Sequence, residues 1–282
     1  MSTIPTSLTE KQFQTFILPN LALAKRGTTC TIPLYKVFNY ILKKLHTGCQ
    51  WRELAIDPHP QKTPKPELSW QSVYHHFSKW TRLGCLKHVF EHSIRTIQSQ
   101  LDLSNINLDG SHTIAKKGGN AVAYQARKRA KTSNILPITD RNGFVLATTA
   151  IIAGNHNDAF ELSAHLKAGF KSIQQLGIKL RGTYFNADAA FDTRDARKLC
   201  FNRGIYPNIP TNLRNRKRPK PGPKRLFSAD IYKRRALSER TFAWIDKFRG
   251  LLIRFERCDQ RFLAAHFIAF AMINLRHIIA LN

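Results

Sequence analysis

The sequence predicts a layered α/β domain with a mixed sheet over residues 101–282, preceded by a helical region over residues 1–100. Two observations carry this. Apolar residues recur at helical spacing before residue 101, and the pattern then turns to polar–apolar alternation, as a strand requires. Beyond that point strand-like and helix-like segments take turns, which is the order of an α/β layer.

The elements follow from local chemistry. Leu34, Val37, Phe38, Ile41, Leu42 and Leu45 share one helical face, and Gly48 offers a stop. Residues 57–67 contain Pro58, Pro60, Pro64 and Pro66 and read as a loop. Ser69 caps a helix whose Trp70, Val73, Phe77 and Trp80 form a core stripe ending at Gly84. His75, His76, Lys79 and Arg82 lie on or near its other side, where DNA contact is the alternative role. Residues 105–109 alternate as a strand. Residues 143–152 read as one further strand, entered by the turn Asp140-Arg141-Asn142-Gly143. Asp158 is placed to cap a helix over 159–176. Strands over 183–188 and 204–209 flank a helix over 193–202. The most apolar run, 262–273, is too short to span a bilayer and is expected to be a core helix.

Composition narrows the function. Lys and Arg number 45 against 18 acids, a formal charge of +27, while 43% hydrophobic residues suffice for a packed core. That excess of base points to a polyanion, nucleic acid before membrane. The five cysteines are scattered, odd in number and without a Cys-x-x-Cys pair, which argues for reduced thiols in the cytoplasm and against a zinc finger. The opening residues lack the basic and apolar regions of a secretory signal.

Two stretches concentrate the base. Residues 211–225, TNLRNRKRPKPGPKR, carry seven basic residues including Arg214, Arg216, Lys217 and Arg218, with three prolines and no acid. They read either as a solvated linker or as a flexible arm that neutralises phosphates. Residues 116–131 hold Lys116, Lys117, Arg127, Lys128, Arg129 and Lys131, interleaved with Gly118, Gly119 and Tyr124, where backbone can approach a sugar–phosphate chain. Gly118-Gly119 lacks the spacing of a Walker or dinucleotide loop, so no nucleotide cofactor is expected.

In so basic a chain the isolated acids are informative. Asp109 closes a strand before Gly110, Asp188 closes a second, and Glu239 lies in the helical stretch SERTFAWIDKF. If the strand ends meet, these carboxylates could cluster at a basic groove. Like charges about 4 Å apart repel by roughly 4 kcal/mol at an effective dielectric near 20. Hard divalent ions with oxygen ligands offset that cost, and two such ions can activate water and stabilise the leaving oxygen of a phosphodiester. Caps and turns are the other role of acids at strand ends.

The segments LDGSHTIAKKGG, AYQARKRAKTSN, AGNHNDAFEL, NADAAFD and RRALSERTFAWIDKFRGLLIRFE, in this order from about Trp51 onward, resemble bacterial insertion-sequence transposases of the DDE type. The nearest group is that of insertion sequence five, within the four/five assembly. The resemblance implies a ribonuclease H-like catalytic domain, a five-stranded mixed sheet with flanking helices. It implies Asp109, Asp188 and Glu239 as the catalytic, metal-holding triad, with Asp192 a competitor for the second place that sits where a turn is expected. Tyr232, Arg235 and Glu239 match the family's Tyr-x2-Arg-x3-Glu signature, and Arg235 is the preferred phosphate contact. Asp246 stands where the family often has Lys, with Lys247 next to it.

The activity so implied is recognition of terminal inverted repeats, strand cleavage and transfer of the 3′-OH to target DNA, with Mg²⁺ or Mn²⁺, two ions in all. The implied partners are double-stranded DNA and a second copy of the chain on that DNA; the implied setting is the bacterial cytoplasm at the nucleoid. A non-catalytic DNA-binding descendant and a simple nuclease of the same fold are the alternatives. His112 and the turn 154–158 take ordinary loop roles, and Trp244 is expected to pack Glu239's helix onto the sheet.

Overall fold

The computed structural model describes residues 4–22, 30–157, 159–212 and 226–279. The helices among them are α1 (Glu10–Phe16), α2 (Leu34–Thr47), α3 (Trp70–Arg82), α4 (Cys85–Thr96), α5 (Leu162–Gln175), α6 (Arg194–Phe201), α7 (Ala229–Lys233), α8 (Ala236–Ile245), α9 (Arg249–Leu252) and α10 (Asp259–Ile279). The strands are β1 (Asn105–Leu108), β2 (Ser111–Ala115), β3 (Ala123–Gln125), β4 (Ala130–Ile135), β5 (Pro137–Asp140), β6 (Val145–Thr148), β7 (Ile152–Ala153), β8 (Tyr184–Asn186), β9 (Tyr206–Asn208) and β10 (Ile253–Arg254). They form two compact units. One comprises Met1–Ile97, Lys116–Asn120 and Trp244–Asn282; the other comprises Gln98–Ala115 and Ala121–Ala243.

The first unit is helical, with α10 at its centre. Val37, Phe38 and Ile41 of α2, Val73, Phe77 and Trp80 of α3, and Val89 and Phe90 of α4 are buried, as the helical stripes predict. Gly48 ends α2 in the left-handed conformation (φ 71°), and the Ser69 side chain accepts from the amide of Ser72 at the start of α3. Phe90 stacks on Phe267 at 5.5 Å between centroids, and Asn274 donates to Ser93 Oγ at 3.2 Å. The proline-rich loop is tied down by Glu67, which accepts from Lys36 Nζ at 2.7 Å and from Tyr40 Oη at 2.6 Å.

Three expectations are corrected here. The division at residue 100 does not follow the compact units, because α10 buries its apolar residues among the N-terminal helices. Trp244 accordingly stacks under Arg276 of α10, 4.1 Å from its guanidinium carbon, and not on a sheet. The helix is also longer than its apolar run. At 21 residues it is long and apolar enough to cross a membrane, and burial of 78% of its most apolar window is what marks it as a core helix.

His266 of α10 is buried between Phe262 and Phe270, with Nδ1 2.9 Å from the Phe262 carbonyl. Burial pulls its pKa down to about 4. The unfolded chain therefore takes up this proton near the usual pH 6.5, whereas the folded chain resists it until about pH 4. The stability involved is fully present above pH 6.5 and is lost as pH falls through that window, by roughly 3 kcal/mol in all. Urea titrations of wild type and His266→Gln across this range should show a shallower acid loss in the variant. Equal slopes would remove His266 as the cause.

The second unit holds a five-stranded sheet in the order β6-β5-β1-β8-β9. β1 pairs antiparallel with β5 and parallel with β8, β5 pairs antiparallel with β6, and β8 pairs parallel with β9. This is the mixed sheet with flanking helices of a ribonuclease H-like fold. Ile106, Leu108, Ile138 and Phe185 are buried, and α5 covers that face: Phe170 meets Phe185 edge-on at 5.8 Å. Gly169 lets α5 approach, since a Cβ there would stand 2.9 Å from Ile138 Cδ1.

A further sheet, absent from the sequence reading, places β2 and β3 on β4, with β7 also pairing to β4. The strand expected over 143–152 is in fact β6 and β7, in different sheets. Its partner divides in the same way: β4 and β5 meet at Leu136, whose carbonyl and amide bond Thr149. A two-strand ribbon thus passes from one sheet to the other, which an alternating pattern alone does not reveal. The expected cap at Asp158 lies outside the described residues; α5 starts at Leu162 after Glu161 at φ 47°. Thr193 caps α6, accepting from the amide of Ala196.

Candidate active site

Register brings the acids together. Asn107 of β1 stands opposite Asn186 of β8, and the chain continues two residues beyond each to Asp109 and Asp188. Period-two alternation puts Asn107 with Asp109, and Asn186 with Asp188, on one face of neighbouring parallel strands. Asp109 is half-buried. It accepts from its neighbour Gly110's amide at 2.9 Å and from Arg235 Nη2 at 2.7 Å. Burial pushes its carboxyl above the ordinary value, against the pull of Arg235 and the Gly110 amide, and the charge of Asp188 pushes it the same way as burial. Asp188 caps a short turn, accepting from Ala190's amide at 2.8 Å. Two carboxylates that sense each other beside one guanidinium make a locus short of positive charge.

The remaining acids differ. Asp192 has no exposed side-chain surface. It is bonded to Arg197 Nε at 2.7 Å and accepts from the amide of Asn212 at 3.0 Å. Arg197 further donates to the carbonyls of Pro207 and Ile209. Asp192 is thus committed to holding β9 and its exit. Glu239 is exposed in the first turn of α8, and no group of three His, Cys, Asp or Glu suited to a metal forms among the described residues. The strand register thus sets Asp109 and Asp188 side by side, and Glu239 is carried on α8.

Sequence reasoning missed the amides beneath the acids. Asn107 Oδ1 accepts from Asn105 at 3.1 Å and Asn186 at 3.0 Å, and Asn186 Oδ1 accepts from Asn208 at 2.8 Å. All four asparagines are buried. Asn208 also exchanges bonds with both backbone groups of Ser228, and Asn186 donates to the Ile231 carbonyl at 3.3 Å. This ladder fastens the segment around α7 that leads to Arg235. The signal was present twice, as Asn107-Leu108-Asp109 and Asn186-Ala187-Asp188.

The basic residues spread further than their sequence grouping. Tyr232 lies on α7 against Phe227, at 5.4 Å. Arg127 and Lys128 occupy the turn between β3 and β4, Arg129 follows at φ 48°, and Lys131 is on β4; all four are exposed. Lys116 and Lys117 are exposed but belong to the helical unit, where Lys116's amide bonds the Arg254 carbonyl and the Arg254 guanidinium bonds the Asn120 carbonyl. Arg214, Arg216, Lys217 and Arg218 lie outside the described residues. His112, expected in a loop, instead lies on β2 opposite Asn134 of β4, with Nδ1 3.2 Å from Thr132 Oγ1.

Residues 52–275 match the family model for the transposase DDE domain, and residues 8–90 match that for a "transposase of IS4/5 family". The chain belongs to the DDE transposases. The DDE match spans both carboxylates, Glu239 and the whole five-stranded sheet. Among solved structures, this DDE transposase is similar to the Mos1 transposase paired-end complex with left transposon end, at 13% identity and TM-score 0.28, over 70% of this chain and 65% of that one. It is similar also to the Mos1 strand transfer complex, at 13% identity and TM-score 0.28, over 92% and 82%. The chain thus spans just under two thirds of the first. No curated protein matches.

Proposed function

We propose that this transposase binds the terminal inverted repeats of its element, cuts there, and joins the freed 3′-OH to target DNA. The observation that carries the reading is the placement of Asp109 and Asp188 at neighbouring strand ends within a DDE domain. Their hard oxygens and uncompensated charge fit a divalent cation. Mg²⁺ or Mn²⁺, two ions by the family pattern, would supply Lewis acidity and a stronger oxygen nucleophile. Asp109 and Asp188 would hold the metal, with Glu239 completing the second ion's shell. Arg235 offsets only part of the carboxylates' charge, through its ion pair with Asp109, and can turn its guanidinium to the scissile phosphate. The asparagine ladder keeps that guanidinium at the site through either reaction.

Arg127, Lys128, Arg129 and Lys131, the pair Lys116 and Lys117, and the 211–225 arm supply sequence-independent attraction to the duplex. If about six phosphates are neutralised, log K should fall against log salt with a slope near −5. A flat dependence in a filter-binding titration would contradict that role. A pair of copies on DNA, in the bacterial cytoplasm, completes the proposal, because two ends must be joined.

The decisive assay incubates the protein with labelled DNA carrying the flanks of its own gene, with Mg²⁺ or Mn²⁺. Site-specific cleavage together with joining of pre-cut ends is the expected result. Cleavage without joining would make it a nuclease. The alternative is a non-catalytic DNA-binding descendant of a transposase. An isothermal titration that finds no Mg²⁺ or Mn²⁺ binding would favour that reading.

A further inference from the structure

The helical unit contains a cavity of about 980 Å³, lined by residues of that unit alone. Trp51 and Trp70 both line it, Trp51 packed against Tyr74 and Phe77 at 5.2 and 5.5 Å between centroids, and Phe255 is 56% exposed at the lining. Lys44, Arg52 and Lys117 add positive charge. Two acids share the lining, but Glu256 is bonded to Arg261 at 3.1 Å, leaving Glu53 against three cations.

Lys44 is the informative group. It is half-buried with its ammonium 5.3 Å from the centre of the Trp51 ring, and no carboxylate lies within ion-pair distance of it among the described residues. Burial holds its pKa below the ordinary value, with Glu256 only partly offsetting this. A half-buried ammonium with an aromatic ring and no anion in contact is costly, and a phosphate oxygen would remove that cost. The volume exceeds what a purine ring and its sugar need, and indole faces accept any base.

The geometry points to a binding site for an unpaired nucleotide, its base stacked on the aromatic lining of Trp70 and Phe255 and its phosphate met by Lys44 and Lys117. The inference rests on the DNA-processing reading above and adds to it a strand-separating role for the helical unit. Such a pocket gives a single-stranded end somewhere to go once pairing is lost.

The test compares binding of a short oligothymidylate with that of an abasic strand of the same length, which keeps every phosphate and loses every base. Fluorescence anisotropy on the full chain without metal is the readout. Stacking of one base predicts roughly a tenfold preference for the oligothymidylate, reduced to near unity in Trp70→Ala and in Phe255→Ser, whereas Lys44→Met should weaken both strands alike. Phe255 is 56% exposed, so its variant keeps the fold if Trp70→Ala does not. Equal binding of the two strands by wild type would overturn the proposal, as would a preference that survives Phe255→Ser. The assay needs neither metal nor cleavage, so a chain that stacks bases without cutting would sink the transposition reading and leave this site standing.

Discussion

Asp109→Asn and Asp188→Asn should each lower strand cleavage by about a thousandfold or more, some 4 kcal/mol of activation free energy, with DNA binding changed by no more than about threefold. Asparagine keeps the shape of the side chain and removes one hard anionic ligand. Glu239→Gln should match them if the third acid joins the reaction. The three can be ranked by thermal shift with Mn²⁺. Loss of metal-dependent stabilisation in the two aspartate variants, but retention in Glu239→Gln, would mean that the strand ends form the primary site. Near-normal cleavage by any variant removes that residue from the proposed triad. A loss of fold is checked by circular dichroism, since Asp109→Asn also deprives Arg235 of its charged partner.

Arg197→Met should cost the sheet unit about 3–5 kcal/mol in urea denaturation, because it leaves Asp192 as a buried, uncompensated carboxylate. The double variant Arg197→Met with Asp192→Asn should recover part of that loss, since no unpaired charge then remains. The pair also settles which aspartate of NADAAFD is which. Asp192→Asn should lower stability, and Asp188→Asn should lower cleavage. A destabilised Asp188 variant with a fully stable Asp192 variant would reverse the assignment.

Residues that the sequence reading handled well are those whose role is local. The stripe Val73–Phe77–Trp80, the cap at Ser69 and the stop at Gly48 are decided within a few residues, and the structure places them as read. What escaped depended on distant partners. Residues 116–131 read as one basic stretch, yet Lys116 and Lys117 belong to one unit and Arg127 to the other, because Gly119 takes a φ of 122° against the Arg257 backbone. The second sheet was invisible for a similar reason: β3 and β7 are too short to alternate, and only pairing with β4 makes them strands. At the candidate site, the two aspartates were legible as acids ending strands. Their buried amide support was not, because an asparagine in a strand reads as a turn residue until its neighbours across the sheet are known.

The helix at Asp259–Ile279 has a consequence for the order of assembly. Synthesis delivers α1–α4 first and α10 last, with every strand of the five-stranded sheet between them. The sheet unit is complete in sequence by Ala243, so it can condense while the chain is still being made. The earlier helices meanwhile lack the apolar partner that covers Phe90 and Ser93. On the ribosome the amino-terminal helices are thus an orphaned half until α10 has been made. A chain released before that point would carry a complete sheet unit but not a finished helical core, so premature termination leaves one unit whole and the other without its central helix.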